Sequence, residues 1–214
     1  MVLKKYFNSV IFILILSLIF LVSCGKNKAN AYYPKLSNSA TILALGDSLT
    51  EGYGASKGAD YPAQLSQIIG IRVVNGGVSG DTSEQALSRL SGLISDKPDL
   101  IILCIGGNDF LRKIPESETR RNISAIIEKS QQENIPIVMV AVPYLSMSAA
   151  FGMLQEHNLY DDLAQKYNIA LLKGAWAEIL GNERLKSDQI HANDQGYRLF
   201  AEKVASFLKD NSII

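Results

Sequence analysis

Five short runs of apolar or β-branched residues punctuate the chain: Thr41–Leu45, Arg72–Asn75, Leu100–Ile105, Ile137–Val142 and Ala170–Leu172. Between and after them lie stretches with helical spacing, at Tyr61–Ile69, Thr82–Ser95, Glu116–Glu133, about Ala149–Tyr167, and Asp194–Lys209. An unbroken apolar run of this length suits a strand covered on both faces, whereas a half-exposed strand would alternate. In the second helical stretch Leu87, Leu90, Leu93 and Ile94 form one apolar face, and Thr82 with Gln85 three positions on makes a capping box. The fourth is interrupted by Gly152 and Asn158. Strands alternating with helices require parallel pairing through right-handed crossovers. The pattern therefore predicts an α/β fold, a three-layer α/β/α domain with a five-stranded parallel sheet.

Chain length and termini divide the molecule. From Ala40 to Ile214 there are roughly 175 residues, enough for one domain with a sizeable core. Ahead of it, Lys4 and Lys5 precede an uncharged apolar core, Val10–Val22, which at thirteen residues is short of the roughly twenty that span a bilayer. A charged start, a short apolar core and small residues at its end read as a secretory signal over residues 1–23. The junction Leu21-Val22-Ser23-Cys24 resembles the lipobox of bacterial lipoproteins, which implies a diacylglyceryl thioether on Cys24 and cleavage in front of it. A plain signal peptide with an incidental cysteine, or an uncleaved anchor, are the other readings. Gly25–Ser39 has no apolar period and reads as a flexible tether, so residues 24–39 join a lipid to a domain spanning 40–214. The expected location is the cell envelope, lipid-anchored to a membrane and facing the periplasm or exterior.

Charge and cysteine content narrow the partners. The chain carries 21 basic and 21 acidic residues, and loss of Lys4 and Lys5 with the signal leaves a net charge near −2 with no basic patch, which argues against nucleic acid. There are two cysteines; with Cys24 lipidated, Cys104 has no disulfide partner and reads as a buried free thiol within an apolar run.

The candidate chemistry collects where strands end. The first strand breaks at Gly46-Asp47-Ser48, leaving a serine at the carboxyl edge of the sheet, where ligands bind in open α/β folds. Serine alone is a weak nucleophile and needs a base, a group to orient that base, and donors for an oxyanion. Asp47 and Ser48 also read as a plain polar turn or helix cap. After the second strand, Asn75-Gly-Gly-Val-Ser-Gly-Asp-Thr-Ser83 is a glycine-rich turn running into a helix, whose free N–H groups can meet negative charge. It is a poor match to a dinucleotide fingerprint, because Asn75 stands at the first glycine position. After the third strand, Gly106-Gly107-Asn108-Asp109 offers a neutral amide donor, or a tight turn satisfied by its own asparagine. Asp188 and His191 lie three positions apart, a spacing at which a carboxylate can hold Nδ1–H and leave Nε2 free. The other histidine, His157, sits within the interrupted fourth pattern and reads as a solvated helical residue. No further histidine or acidic cluster with ligand spacing turns the D-x-x-H into a metal site.

Taken together, Gly46-Asp47-Ser48-Leu49, Gly80 within Ser-Gly-Asp-Thr-Ser, Gly107-Asn108-Asp109 and Asp188-x-x-His191 resemble the four blocks of the GDSL, or SGNH, hydrolases. The likeness spans about Thr41–Phe207 and is nearest in style to the arylesterase, acyl-CoA thioesterase and lysophospholipase branch. It implies a flavodoxin-like strand order 2-1-3-4-5, with Ser48 as nucleophile, His191 as base and then acid, and Asp188 as orienter. It implies an oxyanion hole from the N–H groups of Ser48 and Gly80 and the amide of Asn108, with no metal and no cofactor. The substrate expected is an aryl or acyl ester, an acyl-CoA thioester or a lysophospholipid. A carbohydrate or peptidoglycan O-acetylesterase is the alternative within the fold, and a non-catalytic binding lipoprotein the alternative outside it. The segment Tyr144–Leu154 and the pair Phe110-Leu111 are candidates for an acyl groove, with core packing the equal alternative. The sequence departs from many relatives at Ala192, where they carry proline, and it lacks the G-x-S-x-G elbow of the α/β-hydrolases. Oligomeric state has no signal in the sequence.

Overall fold

The computed structural model describes residues 33–144 and 154–214. The central sheet contains β1 (Thr41–Gly46), β2 (Arg72–Gly77), β3 (Leu100–Cys104), β4 (Ile137–Val140) and β7 (Leu171–Leu172), in the order β2-β1-β3-β4-β7 and parallel throughout. This is the predicted 2-1-3-4-5 arrangement, with the order reversing between β1 and β3. At such a reversal successive crossovers leave on opposite faces, opening a crevice at the carboxyl ends of the strands.

The helices are α1 (Ser48–Glu51), α2 (Tyr61–Ile69), α3 (Ser83–Leu93), α4 (Gly107–Leu111), α5 (Glu116–Gln132), α6 (Leu159–Tyr167), α7 (Ala175–Leu180) and α8 (Asp194–Asp210). Helices α2 and α8 pack together against one face of the sheet, and α3 and α5 pack together against the other. Thr82 closes the expected capping box with Gln85 at the start of α3. Strand β3 is buried along its whole length, in keeping with its unbroken apolar run. Beneath one face the Trp176 ring stacks on Phe200 at 3.7 Å, and its indole N–H donates to the Cys104 sulfur at 3.3 Å. Burial pushes the Cys104 thiol well above its ordinary pKa, so it is an inert packing group. Among the described residues no helix is long and apolar enough to cross a membrane.

Three departures from the sequence pattern have physical causes. The fourth helix does not begin near Ala149: Gln155–Glu156 pairs as a short strand, β6, antiparallel to β5 (Pro143–Tyr144), and α6 starts after Asn158; residues 149–153 lie outside the described residues. The pairing of Gln155–Glu156 with Pro143–Tyr144 commits those residues to a strand, and the helix can start only after it, at the N-cap Asn158. His157 is accordingly not helical; it is half-buried, stacked on Phe110 at 5.0 Å, and accepts the Leu159 N–H through Nδ1. Finally, the segment 33–39, read as tether, belongs to the domain. The Tyr33 hydroxyl donates to the Ile137 carbonyl at 3.0 Å and accepts the Ala170 N–H at 2.7 Å, beneath the amino ends of β4 and β7.

Candidate active site

The loops that leave β1, β2, β3 and β4, together with the loop that precedes α8, form one cleft, lined among others by Ser48, Tyr53, Gly80, Asn108, Leu111 and His191. β1 delivers Asp47 and Ser48 to its floor. Asp47 is the N-cap of α1, its carboxylate accepting the Leu49 N–H at 3.0 Å, so the chain turns into a helix directly at the serine. The tightness of this turn dictates the neighbouring sequence. A Cβ on Gly77 would lie 2.1 Å from the Glu51 nitrogen, so α1 rests directly on the end of β2 only because that residue is glycine. Burial pushes the Asp47 carboxyl up to about 7 despite the Leu49 N–H that favours its charged form.

Ser48, His191 and Asp188 meet across 143 residues of chain. His191 Nε2 lies 3.0 Å from Ser48 Oγ, and His191 Nδ1 lies 2.8 Å from Asp188 Oδ2. With Nδ1–H donating to the carboxylate, Nε2 is the acceptor facing the hydroxyl, which is the protonation pattern a general base requires. Asp188 also accepts the N–H groups of Ile190 and His191, each at 2.8 Å. Partial burial pushes its carboxyl up, but those N–H groups and the imidazole prevail and hold it below the usual carboxylate range. The D-x-x-H spacing works because this loop curls around its own aspartate. Its ends are tied by Ser187 N–H to the His191 carbonyl at 3.0 Å and Asn193 N–H to the Leu185 carbonyl at 2.9 Å. The Lys186–Ala192 bridge between them also holds the loop.

On the opposite wall stand Gly80 and Asn108. Gly80 has φ of +83°, a left-handed conformation that glycine adopts without the steric cost of a Cβ. Its carbonyl accepts from the Arg112 guanidinium at 2.7 Å, and its N–H has no protein acceptor among the described residues. One amide N–H of Asn108 donates to the Asp81 carbonyl at 3.0 Å, which orients the side chain with a second N–H to spare. Ser48 N–H, the first of α1, is also free of protein acceptors among the described residues. Three donors thus border the serine hydroxyl with no internal partner to satisfy.

Several residues that sequence reasoning passed over hold these loops. Asp81 receives Arg89 Nε at 2.6 Å while Arg89 Nη2 donates to the Gly46 carbonyl at 2.8 Å, linking the glycine turn to the nucleophile turn. Asp109, fully buried, accepts the Ser83 N–H at 2.8 Å and the Ser83 hydroxyl at 2.5 Å, tying the Asn108 turn to the start of α3. Glu51 accepts the Ser79 N–H at 2.7 Å and also bonds the Ser79 hydroxyl. Tyr53 lays its ring against the His191 imidazole at 4.5 Å. The only sequence clue to them was position: each lies inside or within two helical turns beyond a block already singled out. Of the groove candidates, Leu111 lines the cleft, Phe110 packs edge-on against Tyr144 at 5.4 Å, Leu154 packs against the core, and residues 145–153 lie outside the described residues. Among the described residues no group of three or more His, Cys, Asp or Glu side chains could hold a metal ion.

A doubly covered parallel sheet bearing a hydroxyl, an imidazole and a carboxylate in line at its carboxyl edge defines the α/β/α serine hydrolases that cleave esters. The model of the GDSL-like Lipase/Acylhydrolase family matches residues 44–199, and the chain belongs to that family. It is 31% identical over 177 residues to the thioesterase 1/protease 1/lysophospholipase L1 of Escherichia coli (strain K12), covering 79% of this chain and 83% of that protein. It is 28% identical to the arylesterase of Vibrio mimicus, covering 79% of this chain and 88% of that enzyme. Among solved structures, the psychrotrophic esterase EstA from Pseudoalteromonas sp. superposes with a TM-score of 0.71 at 25% identity, covering 80% of this chain and 98% of that one. The protein is thus an ester-hydrolysing serine hydrolase of the SGNH type.

Proposed function

We propose that Ser48 is the nucleophile, His191 the general base and then acid, and Asp188 the group that orients it, in the hydrolysis of single-chain acyl esters or thioesters. The observation that carries this reading is the in-line contact Asp188–His191–Ser48 at 2.8 and 3.0 Å. Ser48 Oγ attacks the carbonyl carbon as its proton passes to His191 Nε2, and the carbonyl oxygen becomes an oxyanion received by Ser48 N–H, Gly80 N–H and the Asn108 amide. Collapse breaks the bond to the alcohol or thiol, which leaves with the proton from His191. Water then attacks the acyl-serine with His191 again as base, and the carboxylic acid departs.

An acyl rather than a carbohydrate substrate is favoured by the cleft mouth. The large hydrophobic side chains most exposed among the described residues are Tyr53, Val78, Leu111 and Tyr144, and all four line the cleft or adjoin a residue that does. Exposed apolar groups gathered at one rim mark a surface that meets an apolar ligand. The curated relatives carry names such as thioesterase, lysophospholipase and arylesterase, and the EstA neighbour is described as inhibited by monoethylphosphonate. The same reading includes a signal over residues 1–23, a lipid on Cys24 and an envelope location, supported by the Leu-Val-Ser-Cys junction after a short apolar core. Two or more acyl chains there would hold the enzyme stably on a membrane, where one would hold it marginally.

A fluorophosphonate labelling experiment tests the chemistry: the wild-type chain is labelled and Ser48→Ala is not, while labelling of the variant would mean a different nucleophile. A series of p-nitrophenyl esters from acetyl to decanoyl, assayed on the detergent-solubilised full chain, tests the substrate. Rates that rise beyond the acetyl ester are expected; a sharp preference for acetyl would point instead to an O-acetylesterase.

A further inference from the structure

The two ends of the sheet have different neighbours, and the length of the chain between them sets how the enzyme stands on a membrane. The cleft lies at the carboxyl ends of the strands. The segment 33–40 lies at the other end, with Tyr33 bonded beneath β4 and β7, Leu36 N–H donating to the Ile213 carbonyl, and Ala40 leading directly into β1. The six residues of β1 alone separate the two ends by about 20 Å at roughly 3.3 Å per residue. Tyr33 is itself nine-tenths buried, so the described chain begins on the underside of the domain.

Nine residue steps separate Cys24 from Tyr33. They can reach about 30 Å at most. A domain of about 175 residues has a radius of gyration near 16 Å. A body with that radius of gyration is about 40 Å across, so a bilayer laid against the cleft lies roughly 35 Å or more from the underside, even for a chain that clears the sheet edge directly beside β7. That exceeds the extended length available.

We infer that the enzyme is mounted with its catalytic cleft turned away from the bilayer that anchors it, so that its substrate is a single-chain acyl ester arriving through water and not a lipid of the anchoring leaflet. The inference rests on the lipid-anchor reading of Cys24 and deepens the proposed function by naming where substrate comes from. The apolar rim of the cleft then captures the acyl part of a dissolved or micellar ester, and the anchor concentrates the enzyme at the envelope without feeding it.

The test uses the full lipidated chain reconstituted on the outer face of vesicles, with two phosphonate probes. One is a water-soluble fluorophosphonate. The other carries the same warhead on a short linker at the headgroup of a non-exchanging diacyl lipid in the same vesicles. A second variant carries about twenty Gly/Ser residues inserted after Lys28, which lengthens the reach past 80 Å. The expected result is equal labelling of both proteins by the soluble probe, with the lipid-borne probe labelling the long-tether variant at least tenfold faster than the native chain. Equal, rapid labelling of both by the lipid-borne probe overturns the orientation. Wild-type protein that washes from vesicles as freely as Cys24→Ala overturns the anchor reading and this inference with it. Failure of the soluble probe to label either protein overturns the assignment of Ser48 and, with it, an inference built on that cleft.

Discussion

The two walls of the cleft are held by different means. The wall that carries Ser48, Gly80 and Asn108 is a largely buried lattice of polar contacts that join separate turns and helices: Arg89 to Asp81 and Gly46, Asp109 to Ser83 and Thr119, and, at the surface, Arg112 to Gly80. Its acidic members Asp47, Asp81 and Asp109 are almost wholly removed from solvent. The wall that carries His191 is a surface loop whose bonds are nearly all local, with the Asp188 side chain 44% exposed and held by N–H groups two and three residues away. In the proposed mechanism the oxyanion donors must keep fixed positions while charge develops, and a cross-linked, largely buried wall provides that at low reorganisation. In the same mechanism the imidazole must give and take a proton twice per cycle, and a short loop with its own orienting carboxylate suffices.

Four variants test this contrast, from the largest expected effect to the smallest. Ser48→Ala, which touches neither wall's scaffold, should lower kcat by about 10⁶-fold with unchanged thermal unfolding; residual turnover within a hundredfold of wild type would require a second nucleophile. Asp188→Asn keeps an oxygen to accept the loop N–H groups but offers the imidazole the wrong tautomer, so kcat should fall about 10⁴-fold while the loop keeps its conformation by NMR. Should activity drop by less than tenfold, the exposed carboxylate is not what orients His191. Asn108→Ala removes one oxyanion donor and should cost about 10²–10³ in kcat, roughly 3–4 kcal/mol, with KM little changed; unaltered ester kinetics would take Asn108 out of the mechanism.

The fourth probes the buried wall through pH. Asp47 ionises near 7 in the fold and near 3.8 when unfolded, so the folded state binds the extra proton between those values. Its contribution to stability is therefore fully present below about pH 4 and is lost as pH rises through 7. Asp47→Asn can keep the cap to Leu49 and has no charge to bury. Subtracting its urea-unfolding curve from that of wild type should give a difference that grows from about pH 4 to 7, favouring the variant by a few kcal/mol at most above pH 8. A pH-independent difference would mean that Asp47 is not desolvated as its burial implies.

Legibility followed the range of the interaction. β1, β3 and β4 and most helices were readable because burial on two faces writes an unbroken apolar run and burial on one writes a 3.6-residue period, whereas the partly buried β2 and β7 were readable as short β-branched or apolar runs between helical patterns. The capping box at Thr82–Gln85 and the Asp188–His191 pairing were likewise readable, since each closes within a single turn of chain. The short helices α1, α4 and α7 were not, because four to six residues are too few to show a period. Nor was the role of Tyr33, whose hydroxyl meets partners 104 and 137 residues away, or of Arg89, which looks like any solvated helical arginine until Asp81 and Gly46 are placed beside it.

What the amino-acid order by itself determined is therefore the inventory: which runs are strands, which residues can do acyl chemistry, and which short spacings place a carboxylate on an imidazole. Tertiary structure alone decided that Ser48 and His191 stand 3.0 Å apart, that the Gly80 and Asn108 turns are clamped from behind, and that Tyr33 sits at the end of the sheet opposite the cleft. The reason is that local sequence sets only the two soft dihedrals of each residue, whereas the meeting of distant loops depends on how the sheet's crossovers are packed, a property that no segment carries alone.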